Sequence, residues 1–344
     1  MNSLEKSRTF VLGAGFSAGA GIPTTNNLLH EALELMAVEC DGLYQKIESY
    51  AKICFDNNLS IIDQNLEASN FTKLSSYLHY VEMTEFGGGE RWCDNGSREI
   101  LTLKYFISKV ISISMPDSIP KLYLDFANHL TCYDTIITFN YDCLLEKSLE
   151  QVGKEYTYNF YERDWVNHPN RVFIAKMHGS INWMFPMGDR IDGSIYKKSF
   201  DPAMGLKPFY HSEILTSKEL WYKENSWLCP IQNKNFIQPF IILPGIGKSY
   251  NVRKLGFFWY KPSACFASNR DAIIIGLSLS EDDFFIRFLL LESFPLGNWD
   301  NIERRTIIIN SNCKDMSNYN FIPKDQKIVR VKEFDLEDIE FFKK

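Results

Sequence analysis

Long apolar runs are missing from this 344-residue sequence: stretches such as Ala272–Ile275 and Phe288–Leu291 fall far short of the roughly 20 residues that a membrane-spanning helix needs. A membrane span is not expected. Blocks of Lys or Arg are missing too, and with 37 basic against 43 acidic residues the formal charge is −6, so no phosphate-tracking surface for direct nucleic-acid binding is expected. The eight cysteines, at 40, 54, 93, 132, 143, 229, 265 and 313, form no CxxC pair. That argues against a zinc ribbon and a disulfide framework, and leaves reduced, mostly buried thiols. The N-terminus has only a very short apolar stretch, unlike a secretory signal, so a cytoplasmic protein is expected. Internal repeats and low-complexity tracts are absent as well.

What is present is ordinary globular composition, 45% hydrophobic and 23% charged, enough for a large packed core. Thr9–Leu12, Thr135–Phe139, Val172–Met177, Phe240–Leu243, Ala272–Ile275 and Thr306–Ile309 are rich in Ile, Val or Phe without simple alternation, the pattern of strands buried on both faces. Lys327–Val331 alternates like an edge strand. Leu28, Leu29, Ala32, Leu33, Leu35 and Met36 give Thr24–Glu39 helical spacing. In the segment LSLSEDDFFIRFLLLESF, Ser280 and Asp283 form a capping pair ahead of another helix. The fold class expected is α/β, Rossmann-like, with a mostly parallel sheet flanked by helices, an inserted helical module and no zinc module. Residues 1–40 and 131–335 would form the Rossmann domain, 41–130 the helical insertion and 336–344 a short tail. Gly87–Ser97, rich in Gly and Asn, reads as a mobile loop or turn suited to a lid, and 182–239 as an irregular excursion over the crevice.

Three segments sit where apolar runs end in small and polar residues, the place of a ligand crevice at the carboxyl edge of a parallel sheet: VLGAGFSAGAGIPTT at 11–25, TFNYD at 138–142 and KMHGS at 176–180. Gly13, Gly15 and Ala18 satisfy a GxGxxG/A spacing, which permits a tight turn and close approach of backbone N–H groups to a pyrophosphate. That spacing equally serves a plain strand-to-helix connection. The acid that usually grips a ribose hydroxyl is not evident, because Glu31, Glu34 and Glu39 fall within the predicted helix.

The extended loop resembles the first loop of the sirtuin superfamily, GAGxSxxxGIP, matching at Gly13, Ala14, Gly15, Ser17, Gly21, Ile22 and Pro23. TFNYD resembles the sirtuin TQNID element at Thr138, Asn140 and Asp142, and MHGS its HGS element at His178, Gly179 and Ser180. Softer matches are IGLSLSEDD, with Gly276 and Ser278 in place, and IIINSN, ending a strand at Asn310. The resemblance spans residues 8–312 and implies NAD as substrate, held by Gly13, Ala14, Gly15, Ser17, Ala18, Gly21, Ile22, Pro23, Thr24, Asp142, Gly276, Ser278 and Asn310, with no metal.

Three departures separate the chain from the sirtuin deacylases. The CxxC pairs of their zinc module are lacking; Thr24, Thr25 and Asn26 stand where they carry DFR; Phe139 stands where they carry Gln. Loss of the bulky cover over the reactive ribose admits water to the anomeric carbon. The chain is thus most similar to the zinc-free, sirtuin-like NAD hydrolases of bacterial antiphage defence, with TxNYD and KxHGSxNW read here as TFNYD and KMHGSINW.

An NAD glycohydrolase releasing nicotinamide and ADP-ribose is therefore expected. Asn140 carries a donor and an acceptor suited to orienting water or a ribose hydroxyl, and His178 is the candidate base. Asp142 matches the residue that binds the nicotinamide carboxamide, yet is equally suited to capping a helix. Trp183 is read as packing, with a wall of the site as the alternative. Two alternatives remain: a protein deacylase, and a non-catalytic sensor of NAD or ADP-ribose. The resemblance further implies depletion of NAD in abortive infection and a homo-oligomer or a separate partner such as a HerA-like ATPase or an Argonaute.

Overall fold

The computed structural model describes residues 7–55, 66, 68–84, 91–93, 96–158, 166–187, 236–245, 271–279, 284–293, 305–311, 317–322, 324 and 327–342. At its centre β1 (Arg8–Leu12) lies between β4 (Thr135–Thr138) and β9 (Asp271–Ile275). Beyond β4 come β6 (Arg171–Lys176) and the edge strand β5 (Glu155–Thr157); beyond β9 come β10 (Arg305–Ile309) and the other edge, β11 (Lys327–Arg330). All pairings in this seven-stranded sheet are parallel. The expected Rossmann-like α/β class is what the chain adopts.

The missing alternation follows from burial on both faces. Phe10, Leu12, Ile136, Ile174 and Ile273 join one apolar cluster, which contains Leu28, Leu29, Leu33 and Met36 of α2 (Thr25–Glu39). Val11, Ile137, Phe173 and Ile274 join a second, closed by Ile286, Leu289 and Leu290 together with Tyr319 and Ile322. Those three residues lie on α8 (Phe284–Ser293). At the amino edge, Arg8 forks onto Asp134 with Nε–Oδ1 2.8 Å and Nη2–Oδ2 2.7 Å, tying the start of β1 to the entry of β4.

Helices α3 (Asp41–Phe55), α4 (Ala68–Thr84) and α5 (Arg98–Ser114) pack around α2, where Lys109 Nζ meets Glu39 Oε1 at 2.7 Å. The last helix of the 41–130 stretch, α6 (Lys121–His129), packs instead on α7 (Leu144–Gln151) and α9 (Leu336–Phe342), so it belongs to the layer covering the sheet. Within Gly87–Ser97, β2 (Arg91–Cys93) and β3 (Gly96–Ser97) form an antiparallel ribbon; the rest of that expected loop lies outside the described residues. So do Ser280 and Asp283.

One expectation is corrected. The Phe240–Leu243 run does not join the main sheet: β8 (Phe236–Ile241) pairs antiparallel with β7 (Gly179–Met187) in a separate ribbon, and Pro239, lacking an N–H, is suited to such an edge and not to a central strand. The expected tail at 336–344 contains α9, with Ile339 and Phe342 buried. A reciprocal cap starts it, the Asp338 N–H donating to Asp335 Oδ1 at 3.3 Å and the Asp335 N–H to Asp338 Oδ2 at 3.0 Å, an acidic version of the capping box. Among the described residues no helix is long and apolar enough to cross a membrane.

Candidate functional site

From β1 the chain proceeds towards β4, whereas from β9 it proceeds the other way to β10. The carboxyl ends of β1 and β9 thus flank a topological switch point, where open α/β sheets form their crevices. Two short connections meet there. After β1 the chain turns at Gly13 into α1 (Ala14–Ala18); after β9 it turns at Gly276, with φ +60°.

These connections pack main chain on main chain. A Cβ at Gly13 would lie 2.5 Å from Leu277 Cα, one at Gly15 2.8 Å from Gly276 Cα, and one at Gly276 2.3 Å from the Phe16 nitrogen. The Gly13 N–H donates to the Ile275 carbonyl at 3.0 Å and the Gly15 N–H to the Gly276 carbonyl at 2.9 Å. Sequence spacing assigned those N–H groups to a pyrophosphate; in the fold they join the two loops. The small residues still shape the rim. Gly15, Ala18 and Gly21 are exposed, and around Gly21, at φ +85°, nothing lies within 4 Å of a Cβ position. Behind the loop, Phe16 meets Tyr123, Phe126 and Phe334 at 5.3, 5.2 and 5.6 Å between ring centroids. Burial, reinforced by the Asp142 and Glu333 charges, holds the Tyr123 hydroxyl well above its usual range, a neutral donor to the Phe16 carbonyl at 2.9 Å.

Asn140 follows β4 and is clamped to this loop. Its Nδ2 donates to the Gly13 carbonyl at 2.9 Å and to Ser17 Oγ at 3.1 Å, and its N–H donates to Thr138 Oγ1 at 3.1 Å. Both amide hydrogens are thereby committed, which leaves the Oδ1 carbonyl as the side chain's acceptor. His178 stands at the same level on the neighbouring strand end, since Thr138 pairs with Lys176 in register. Its ring lies 5.0 Å from that of Phe139 and 6.4 Å from that of Tyr141, so the aromatic residues on either side of Asn140 flank the imidazole.

Asp142 has a defined structural task. Its Oδ1 accepts the Leu144 N–H at 3.0 Å, two residues on, and so braces the entry to α7, whose N-cap is Cys143; the sequence left a structural use of this kind open beside cofactor binding. Asn310, after β10, donates from Nδ2 to the Leu277 carbonyl at 3.0 Å, the same oxygen that takes the Tyr319 hydroxyl at 2.6 Å; it steadies the β9 connection. Ser278 is exposed beside it. Ile22 is in the core at 5% exposure, and Pro23 and Thr24 are half-buried where α2 begins. Gly13, Ser17, Asn140, Gly276 and Asn310 are thus brought together; Ile22 is not on the rim. Among the described residues no group of three or more His, Cys, Asp or Glu is arranged to hold a metal, and Cys54 and Cys143 are free thiols.

Motif reading passed over the polar chain beneath these loops. Lys176 Nζ lies 3.2 Å from Glu146 Oε1, both side chains 1% exposed, and also donates to the Asp142 carbonyl. Glu146 Oε1 accepts the Tyr158 hydroxyl at 3.0 Å, and that hydroxyl accepts Asn182 Nδ2 at 2.9 Å. Lys176 and Asn182 are the first and seventh residues of KMHGSINW. The signal was a lysine inside an apolar strand, since lysine is almost never fully buried unless paired.

The family model of a SIR2-like domain matches residues 134–219, the stretch that carries Asn140, Asp142 and His178. No curated protein matches the chain. Solved structures similar to it include SIR2 in complex with the inhibitor EX-527, 2′-O-acetyl-ADP-ribose and a deacetylated p53 peptide, at 13% identity over 98% of this chain and 91% of that one, TM-score 0.37. A structure described under the structural basis of sirtuin substrate affinity aligns at 13% identity over 98% and 92%, TM-score 0.38. Sir2Tm bound to a propionylated peptide aligns at 12% identity over 98% and 91%, TM-score 0.34.

Proposed function

We propose that the chain is an NAD glycohydrolase. The observation that carries this reading is the clamp on Asn140: with both amide hydrogens held by Gly13 and Ser17, its Oδ1 is a fixed acceptor at the switch point, level with the imidazole of His178. The surroundings suit a dinucleotide, because the rim is exposed at Gly15, Ala18 and Gly21 and at Gly21 nothing lies within 4 Å of a Cβ position.

In the proposed reaction the bond between the nicotinamide nitrogen and the ribose anomeric carbon breaks, its electron pair leaving with neutral nicotinamide. Water adds to the anomeric carbon, and its proton passes to His178 and then to solvent. NAD⁺ and water give nicotinamide, ADP-ribose and H⁺. Asn140 Oδ1 orients the water or a ribose hydroxyl, and fixed geometry of this kind is worth several kcal/mol of barrier. Resemblance to the defence hydrolases supports NAD depletion as the cellular role, with the chain working as a homo-oligomer or beside a separate partner such as a HerA-like ATPase or an Argonaute.

The test incubates the purified protein with NAD, alone, with an acylated peptide and with neighbouring gene products, and follows nicotinamide by chromatography. Release with water alone is expected, with Asn140→Ala and His178→Ala each lowering it at least about 100-fold while circular dichroism is unchanged. Release only with the peptide would make the chain a deacylase, intact NAD in every arm would make it a sensor, and full turnover in both variants would refute the assignment of the two residues.

A further inference from the structure

The buried chain Lys176–Glu146–Tyr158–Asn182 lies beneath the site and joins β6, α7, the end of β5 and β7, the elements on either side of Asn140 and His178. Lys176 ends β6, two residues before His178; its ammonium reaches the Asp142 carbonyl, two residues after Asn140. Glu146 lies in the first turn of α7, Tyr158 follows β5, and Asn182 lies on β7. Two further bonds run in parallel: the Ile181 N–H donates to the Tyr141 carbonyl at 2.9 Å and Ser180 Oγ to the same oxygen at 3.2 Å.

Such a pair is costly. Removing both charges from water costs several kcal/mol per ion, and a well-packed apolar pair of the same volume is often as stable or more so. Net stability therefore does not account for it, whereas a fixed arrangement of the two loops does. Burial draws the Lys176 ammonium down, but Glu146, Cys143 and Asp142 together outweigh it and leave its pKa raised; the lysine is a cation at any physiological pH.

We propose that Lys176 is a positioning residue: balanced by Glu146, its ammonium grips the main chain of Asp142 and so sets where Asn140 stands relative to His178. The kinetic half of this proposal rests on the glycohydrolase reading; the structural half does not.

The test compares Lys176→Met with the double variant Lys176→Met/Glu146→Gln, measuring melting temperature, kcat and KM for NAD, and amide hydrogen exchange at Asn140 and Ile181. Lys176→Met strands a buried carboxylate, so it melts lower. The double variant removes that charge and recovers the melting temperature, but not the grip on Asp142. Both variants should lose about 100-fold in kcat, the loss typical of a reacting group displaced by about 1 Å, with KM changed less than threefold, and both should exchange faster at the two amides. Recovery of kcat together with stability in the double variant would overturn the proposal, as would wild-type exchange rates. Should Lys176→Met not fold, the double variant decides; should the wild type release no nicotinamide, the glycohydrolase reading falls and hydrogen exchange alone decides this one.

Discussion

Replacing Gly276 with Ala tests the main-chain packing of the two loops most directly. The new Cβ would lie 2.3 Å from the Phe16 nitrogen and 2.4 Å from the Gly15 carbonyl carbon. Both are backbone atoms, so no side chain can swing away, and ordinary contact requires α1 to retreat by about 1.1 Å. Overpacking of this kind costs roughly 1–3 kcal/mol, and holding an L-residue at φ +60° adds about 1–2 kcal/mol. Gly21→Ala is the control: at φ +85°, with nothing within 4 Å, it bears only the backbone strain of about 1–2 kcal/mol. Urea unfolding of both variants should place Gly276→Ala about 1–3 kcal/mol below Gly21→Ala. The retreat also stretches the Gly15–Gly276 bond and the Asn140 bonds to Gly13 and Ser17. A Gly276→Ala protein as stable as Gly21→Ala would refute the packing argument.

Two further outcomes follow from buried charge and burial itself. Arg8→Met leaves Asp134 without its guanidinium, and since the Asp134 side chain is wholly buried and Arg8 is 13% exposed, thermal melts should register a loss of about 3–5 kcal/mol; a loss below 1 kcal/mol would contradict it. Burial, reinforced by Glu146, pushes the Cys143 thiol from 9.0 up to about 12. A pKa raised by folding gives stability that is complete below the unfolded value and is lost as pH rises through the folded one. Between pH 9 and 11 the wild type should therefore weaken by about 1 kcal/mol per pH unit more than Cys143→Ala in urea titrations, and parallel curves would count against it.

The central sheet was legible because its strands are buried on both faces, so Thr9–Leu12, Ala272–Ile275 and Thr306–Ile309 stand out as short apolar runs and land on β1, β9 and β10. β5 was not, because Glu155–Thr157 is three residues at an exposed edge. The run at 240–243 misled for the opposite reason: an apolar strand carries no mark of which sheet it joins, and only Pro239 hinted at the ribbon. The Asp335–Asp338 cap preceded a helix of only seven residues, too short for periodicity to register. Around the switch point, the placement of Asn140 and His178 just past the ends of adjacent strands was legible, but the partners of Gly13 and Gly15 were not. Those partners come from residues 275 and 276, and local spacing cannot say whether a glycine makes room for a ligand or for another stretch of its own chain. Glu146 was hidden likewise, thirty positions before the lysine that needs it.

The order in which the sheet is assembled bears on how the protein is made. β1 pairs with a strand at 135–138 and with another at 271–275, so a ribosome releases Asn140 and His178 well before the floor on which the glycine turn rests. A nascent chain lacking that floor cannot seat the turn, and domains generally complete folding as units. Under the proposed glycohydrolase reading, chemistry at this edge is withheld until Gly276 has been made, and a fragment that stops short of it is expected to leave NAD intact, because the partners of Gly13 and Gly15 are then missing.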